Sequence, residues 1–352
     1  MKVYFFETPA DDEAALRDYI AKEPALSGAS ASTPLELIFS PAPLTRENAA
    51  LAADADVVSV FVHSIVDAAA LDSMPKAHLL VTRSVGFDHI DLVRAAARDL
   101  TVCNVPAYGA RPVAEFTFSL ILGLSRHTFA ATRQVKDRHD LSQLGLEGFN
   151  LYGKTLGIIG TGLIGLNVAK IAKGFGMKVL GFDRFPNQSA AQEIGFAYAD
   201  LEQLLGESDI ITLHAPYTKE THHLINKDSI TKIKKGALLV NTARGELIDT
   251  EALIYALDQK IVAAAALDVI EGERDMTDEW SLIAHDKMPT NDAARLKMLL
   301  EEHMCIDRPE VFITPHIAFY TVEAKQEILQ TTAAAIAAFA QGAPINIIKP
   351  IA

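Results

Sequence analysis

Cysteine is scarce: only Cys103 and Cys305 occur among 352 residues, far apart, and neither sits in a C-x-x-C or other metal-ligand spacing. A disulfide framework is not the organising device, and no metal site is expected. Basic charge is short as well. The formal net charge is -13, and a chain without a basic footprint does not suit nucleic acid as a partner. No uninterrupted apolar run reaches the about 18 residues that a membrane span needs. The opening MKVYFFETPA reads as a strand and a polar turn, not as a signal peptide, so a cytoplasmic setting is expected. Internal repeats and low-complexity tracts are missing too. Apolar character is what the chain has, at 49%, and at this length it is ample for two domains with packed cores.

The rest of the chain is organised around KTLGIIGTGLIGLNVAKIAKGFGMKVLGFD, Lys154 to Asp183, which reads as strand, glycine turn, helix and second strand. Gly160, Gly162 and Gly165 stand at G-x-G-x-x-G spacing. The first permits a tight turn, the second lets backbone amides approach a pyrophosphate, and the third lets the helix pack on the strand, with the phosphates at its positive end. Asp183 closes the second strand, where a carboxylate accepts hydrogen bonds from an adenosine ribose. Such a carboxylate repels a 2′-phosphate, which selects NAD over NADP; Arg184 next door, turned toward that phosphate, would act the other way.

An α/β rhythm surrounds this unit. Lys2 to Phe6 reads as a strand, Asp11 to Lys22 as a helix, Asp56 to His63 as a buried strand, and Leu79 to Arg83 as another that runs into SVGFDHID, whose Asp88 is placed to begin a helix. Gly86 can expose backbone amides there, although spacing alone fits an ordinary strand-to-helix turn. Gly109 to Val135 reads as one long amphipathic helix with Pro112 near its start. The nucleotide unit then reads as an insertion, 109–318, into a discontinuous domain of residues 1–108 and 319–352. Both are expected to be Rossmann-like and doubly wound.

Ligands bind beyond the carboxyl ends of strands in such sheets. DIITLHAP places His214, Ala215 and Pro216 at one end. Adjacent His222 and His223, in a polar stretch without an acid or cysteine at metal spacing, read as solvated surface. ALLVNTARG leads to Arg244, IVAAAALDVIEGE to Asp268, Glu271 and Glu273, and VFITPHIAFY to His316. An arginine forks bidentately onto a carboxylate, a histidine exchanges a proton with an alcohol or carbonyl oxygen, and a carboxylate on its far nitrogen holds the tautomer. With a nicotinamide, the set suits a 2-hydroxy acid. Taken singly, each residue also fits a bland role: surface cation, solvated acid, satisfied loop histidine.

Jointly, GTGLIG, NTARGELID, LDVIEGE and TPHIAFYT resemble the D-isomer-specific 2-hydroxyacid dehydrogenases, and SVGFDHID, NVPAYGA and the pair Phe319 and Tyr320 resemble their D-lactate dehydrogenase branch. The resemblance covers nearly the whole chain. It implies an NAD-dependent oxidoreductase, usually a homodimer, that reduces a small 2-keto acid, pyruvate first. It places the carboxylate-binding arginine at Arg244, the orienting glutamate at Glu273 and the acid/base histidine at His316. Backbone amides of Val85 and Gly86 would receive the substrate carboxylate, with Tyr108, Phe61, Phe319 and Tyr320 lining its side-chain pocket. Besides the glycines and Asp183, the cofactor-contacting positions fall on Leu163, Ile164, Ala215, Pro216, Thr221, Thr242 and Ala243, and Asp268 takes the nicotinamide carboxamide. Hinges are expected where the chain crosses between domains, near Tyr108 and Phe319.

Two places depart from the family pattern. Ile270 stands where many relatives carry an aromatic residue. About 40 residues separate Glu273 from His316, a long link that includes Trp280, His285, His303, Met304 and Cys305; it reads as a charged, helical surface excursion, with a lid or a dimer contact as the alternatives. Two functional alternatives stand beside pyruvate reduction: a bulkier 2-keto acid such as 2-ketoisocaproate or phenylpyruvate, and a non-catalytic, NAD-sensing protein like the family's corepressor relatives.

Overall fold

The computed structural model describes residues 1–27, 34–273 and 293–348. They form two compact units, Met1–Gly109 with Tyr320–Ala352, and Ala110–Phe319.

In the first unit the chain runs β1 (Lys2–Phe5), α1 (Ala10–Lys22), β2 (Glu36–Phe39), β3 (Val57–Val60), α2 (Ala68–Asp72), β4 (Leu79–Thr82), α3 (Leu92–Ala96) and β5 (Thr101–Cys103). The strands pair in parallel in the order β2-β1-β3-β4-β5. A parallel sheet is covered on both faces, so its strands are apolar on both. Tyr4 and Phe6 accordingly enter one core with Val58, Leu80 and Leu71, while Val3 and Phe5 enter another with Leu16, Ile20 and Leu79. Asp91, and not Asp88, caps α3 by accepting from the Arg94 amide at 2.8 Å. The cap lies three residues beyond the expected one because Asp88 stands in a turn, closed by the Ile90 amide donating to the Phe87 carbonyl at 3.1 Å, and Ile90 then bridges to Val66 before the helix begins.

The second unit contains α4 (Pro112–Ser125), α5 (Thr128–Arg138), β6 (Thr155–Ile159), α6 (Leu163–Gly174), β7 (Lys178–Phe182), α7 (Gln188–Ile194), β8 (Ala197–Tyr198), α8 (Leu201–Glu207), β9 (Ile210–Leu213), β10 (Ala237–Asn241), α9 (Thr250–Asp258), β11 (Val262–Leu267), α10 (Ala293–Ile306) and β12 (Val311–Ile313). Its sheet is parallel throughout, ordered β12-β11-β10-β9-β6-β7-β8. The order reverses at β6, the switch point at which doubly wound sheets bind dinucleotides. Leu239 of β10 joins a core with Ile211, Leu253 and Cys305, and its neighbours Leu238 and Val240 join the opposite one with Ile158, Val168 and Phe118. The chain then re-enters the first unit as α11 (Val322–Ala340), capped by Thr321, which lays Leu329, Ala333 and Ile336 on the small sheet and packs on α1.

The expected single helix from Gly109 to Val135 is two. It breaks at Arg126 and His127, where His127 adopts a left-handed φ of +51°. The carbonyl of Ser125, freed at that break, accepts from the Phe149 amide at 2.9 Å. Of the long link after Glu273, residues 274–292, with Trp280 and His285, lie outside the described residues. Its latter part is α10, which is helical as expected but seats Leu299, Glu302 and Cys305 in the interior rather than riding wholly on the surface. Burial pushes the thiols of Cys103 and Cys305 up to about 11 and about 12, so both are inert structural cysteines.

Candidate active site

The glycine turn after β6 fits a dinucleotide. Gly160 has φ +90°, and a Cβ there would lie 2.5 Å from the Ala215 amide nitrogen; the turn thus packs directly on the loop after β9. A Cβ on Gly165 would lie 2.1 Å from the Gly160 carbonyl oxygen, so α6 can seat on the turn only with glycine there. Gly162 faces open space and is the N-cap of α6 with no side chain capping it. The first amides of a twelve-residue helix are therefore left for an anion. Asp183, at the end of β7, accepts from the Thr161 amide at 2.6 Å, the Thr161 hydroxyl at 3.0 Å and the Phe185 amide at 2.8 Å. These bonds fix its carboxylate beside the turn, while the Arg184 guanidinium lies over the Phe185 ring.

Three loops at the carboxyl edge of the same sheet carry the remaining groups. After β10, buried Asn241 grips its own loop: its Nδ2 donates to the Arg244 carbonyl at 2.7 Å and its Oδ1 accepts from the Ala243 amide at 3.0 Å. A Cβ on Gly245 would fall 2.0 Å from the Ile270 carbonyl carbon, so the Arg244 loop rests on the backbone leading to Glu273. After β12, His316 adopts a left-handed φ of +54°, and its amide donates to the Asp268 and Thr314 carbonyls at 2.9 Å. Such a conformation costs of the order of 1–3 kcal/mol and needs surrounding bonds to hold it. Its Nδ1 lies 2.9 Å from Glu273 Oε1, and its ring meets Phe319 edge-on at 6.3 Å.

Asp268 supplies those bonds. Its carboxylate accepts from the Thr314 hydroxyl at 2.5 Å, the Ile317 amide at 3.0 Å and the Ala318 amide at 2.8 Å, and the residue is 1% exposed. Burial pushes its pKa up, and the Thr314 and amide bonds act against that. Its observed work is to anchor the His316 loop. Sequence reading missed this and the clamp by Asn241, because both are bonds between a strand end and a loop that only the fold brings near. His214 lies at a strand end as expected; its residue is partly exposed, yet the imidazole is enclosed, and burial pushes it down to about 3. It is neutral, 3.0 Å from the Thr212 hydroxyl and 3.5 Å from that of Thr242, which in turn meets Thr117 at 3.0 Å.

Residues 118–318 match the family described as D-isomer specific 2-hydroxyacid dehydrogenase, NAD binding domain. A D-lactate dehydrogenase of Curvularia clavata is 40% identical over 319 residues, 90% of this chain and 87% of that protein. The chain belongs to the D-isomer-specific 2-hydroxyacid dehydrogenase family. An aromatic 2-oxoacid reductase of Clostridium sporogenes is 39% identical over 80% of this chain and 82% of its own length. The crystal structure of D-lactate dehydrogenase from Aquifex aeolicus complexed with NAD and lactic acid superposes with a TM-score of 0.83 at 34% identity, covering 99% of this chain and 100% of that one. The protein is thus an NAD-dependent oxidoreductase of the D-lactate dehydrogenase branch. No helix among the described residues of this dehydrogenase is long and apolar enough to cross a membrane.

Of the candidate residues, Gly160, Gly162, Leu163, Ile164, Gly165, Asp183, Ala215, Pro216, Thr221, Thr242, Ala243, Arg244, Asp268, Glu273, His316 and Phe319 all lie in the second unit of this dehydrogenase. Thr221 donates to the Pro216 carbonyl at 2.7 Å and shapes the loop after β9. Phe61, Val85, Gly86, Tyr108 and Tyr320 lie in the first unit. There Ser84 Oγ donates to the Gly86 carbonyl at 2.6 Å and Asn104 Nδ2 to that of Val85 at 2.9 Å. With both carbonyls held, the Val85 and Gly86 amides donate to no acceptor among the described residues.

Proposed function

We propose that this dehydrogenase reduces a small 2-keto acid, pyruvate foremost, to the D-2-hydroxy acid, with His316 as the proton donor. The observation that carries the reading is the His316–Glu273 pair at 2.9 Å, set at the same sheet edge as the glycine turn. The glycine turn and Asp183 would hold NADH, which when bound would supply the hydride for the carbonyl carbon. Glu273 accepts a hydrogen bond from Nδ1–H, which leaves Nε2–H of the imidazolium to give its proton to the carbonyl oxygen as that oxygen becomes a hydroxyl. Arg244 takes the substrate carboxylate in a two-pronged charge-assisted bond and draws charge from the carbonyl. Phe319, edge-on to the imidazole, fixes its plane. The Val85 and Gly86 amides are assigned to the carboxylate, and Phe61, Tyr108 and Tyr320 to the substrate side chain. The Ala110–Phe319 unit is the cofactor domain in this reading and the other unit the substrate domain. A cytoplasmic homodimer completes the proposal.

A bulkier 2-keto acid is the second reading, favoured by the kinship to an aromatic 2-oxoacid reductase and by the four aromatic candidates. The test is NADH consumption with pyruvate, 2-ketoisocaproate and phenylpyruvate, wild type beside His316→Ala. Ranking by kcat/KM decides between the substrates, and the substitution is expected to cost roughly 10²- to 10⁴-fold in turnover with NADH binding retained. An undiminished rate in His316→Ala rejects the assignment. Tight NADH binding without turnover of any substrate turns the reading to the NAD-sensing protein.

A further inference from the structure

The loop after β9 holds two histidines that the hydride-transfer chemistry leaves unused. Thr218 and Thr221 tie that loop into a turn, the Thr218 amide donating to the Thr221 hydroxyl at 2.7 Å, and the His222 amide donates to the Thr218 carbonyl at 3.0 Å. His223 follows with a left-handed φ of +49°, its amide bonded to the Glu246 carbonyl at 2.8 Å and its carbonyl to Asn226 Nδ2 at 3.0 Å. Neighbouring side chains in extended backbone point to opposite sides. The left-handed turn at His223 instead lays the two imidazoles together, centroids 3.9 Å apart and planes within 23°. Glu271, 48 residues further on, reaches the same place, with its Oε2 3.0 Å from His223 Nε2.

We propose that His222, His223 and Glu271 form a binding site for a divalent transition-metal cation of the zinc type. One ligand atom from each residue lies within 4.8 Å of the other two. Bonds of about 2.0–2.1 Å in tetrahedral geometry set donor atoms roughly 3.3–3.4 Å apart, so rotation of the exposed His222 ring toward the existing His223–Glu271 pair closes the set. Two imidazoles and a carboxylate are the donors of three-ligand zinc sites, which keep a fourth position open for water. The backbone beneath is fixed: the Ile225 amide donates to the Leu247 carbonyl at 3.0 Å and Ile225 bridges Ile248, joining this loop to the one after β10. Imidazole donors favour zinc, copper and nickel over magnesium and calcium. The site stands whether or not the hydride-transfer assignments hold, since it shares no ligand with them.

The test is titration of the metal-free full chain with Zn²⁺ against a chromophoric chelator, with Mg²⁺ as control and Co²⁺ absorbance reporting the donor set. One tightly bound Zn²⁺ per chain is expected, without Mg²⁺ uptake, and a loss of affinity of at least about tenfold in His222→Ala and in Glu271→Gln separately. The first substitution is at an exposed position and the second is isosteric, so neither depends on refolding a core. No Zn²⁺ uptake by the wild type, or an affinity that falls by less than this in either variant, overturns the site.

Discussion

At the carboxyl edge of the β1–β5 sheet, an ion network is buried and committed to the backbone; at the same edge of the β6–β12 sheet, an acid and a histidine are paired but only half-buried. Arg83, 3% exposed at the end of β4, donates to the Phe6 carbonyl at 2.7 Å, the Glu7 carbonyl at 2.8 Å and Ser59 Oγ at 2.9 Å. Glu7 in turn accepts from the amides of Phe61, His63 and Ser64 and from the Ser64 hydroxyl. Burial pulls the Arg83 guanidinium down to about 10, with Glu7 acting against it, so it stays charged at neutral pH. This network stitches the ends of β1, β3 and β4 together. His316, Glu273 and Arg244 are instead only half-buried, on loops that Asp268 and Asn241 brace. One topology thus buries its charge as scaffold in one unit and holds it half-buried on braced loops in the other, while the Val85 and Gly86 amides of the first unit stay unbonded among the described residues.

Arg83→Met breaks that contrast most severely if it is mistaken. Removing the guanidinium leaves two carbonyls and a serine hydroxyl buried, and a loss of about 3–5 kcal/mol in unfolding free energy is expected by denaturant titration. Unchanged stability with abolished turnover would make Arg83 a functional group and erase the distinction. Glu302 offers the matching case in the second unit. It is 1% exposed with the Thr250 hydroxyl donating at 2.5 Å, and burial pushes its pKa up to about 7 from an ordinary 4.5. A carboxyl with a raised folded pKa binds its proton more tightly when folded. Its favourable contribution is therefore full below about pH 4.5 and is lost as pH rises to about 7, by up to roughly 3 kcal/mol. Glu302→Gln should flatten that fall; an identical pH dependence of stability in the variant would show that Glu302 ionises freely.

Glu273→Gln sharpens the comparison on the catalytic side with a smaller effect. The charge-assisted bond to His316 is replaced by a neutral one, and a loss of about 1.5–3 kcal/mol slows reduction about ten- to a hundredfold. Retained stability together with a slowed hydride step is the expected pattern, and a rate equal to wild type would remove Glu273 from the mechanism. Least in size is the pH profile itself. Reduction consumes a proton and should slow toward alkaline pH, whereas neutral His214 adds no limb near pH 7. A flat profile between about pH 5 and 9 would leave His316 without its role.

Much of this architecture is legible in the chain because it rests on neighbours in sequence. The glycine spacing, Asp183 closing the second strand, and Arg244, Asp268 and His316 just beyond three apolar runs follow from strand period, turn chemistry and the rule that parallel strands end on one edge. The long helix expected over Gly109 to Val135 failed because its periodicity continues through Arg126 and His127, while the bond that ends α4 at Ser125 comes from Phe149. Asp91 displaced Asp88 as a cap for a similar reason: Asp88 stands in a turn, and Ile90 bridges to Val66 before the helix begins.

By itself, then, the sequence determined the two doubly wound sheets, the dinucleotide turn and the membership in a hydride-transferring family, all of which local patterns encode. Tertiary structure alone decided that Asp268 anchors the His316 loop, that His214 is neutral and Arg83 buried, and that Glu271 meets His223, 48 residues away. Desolvation and long-range hydrogen bonds set these states, and both depend on what the folded chain excludes from water and not on which residues stand side by side.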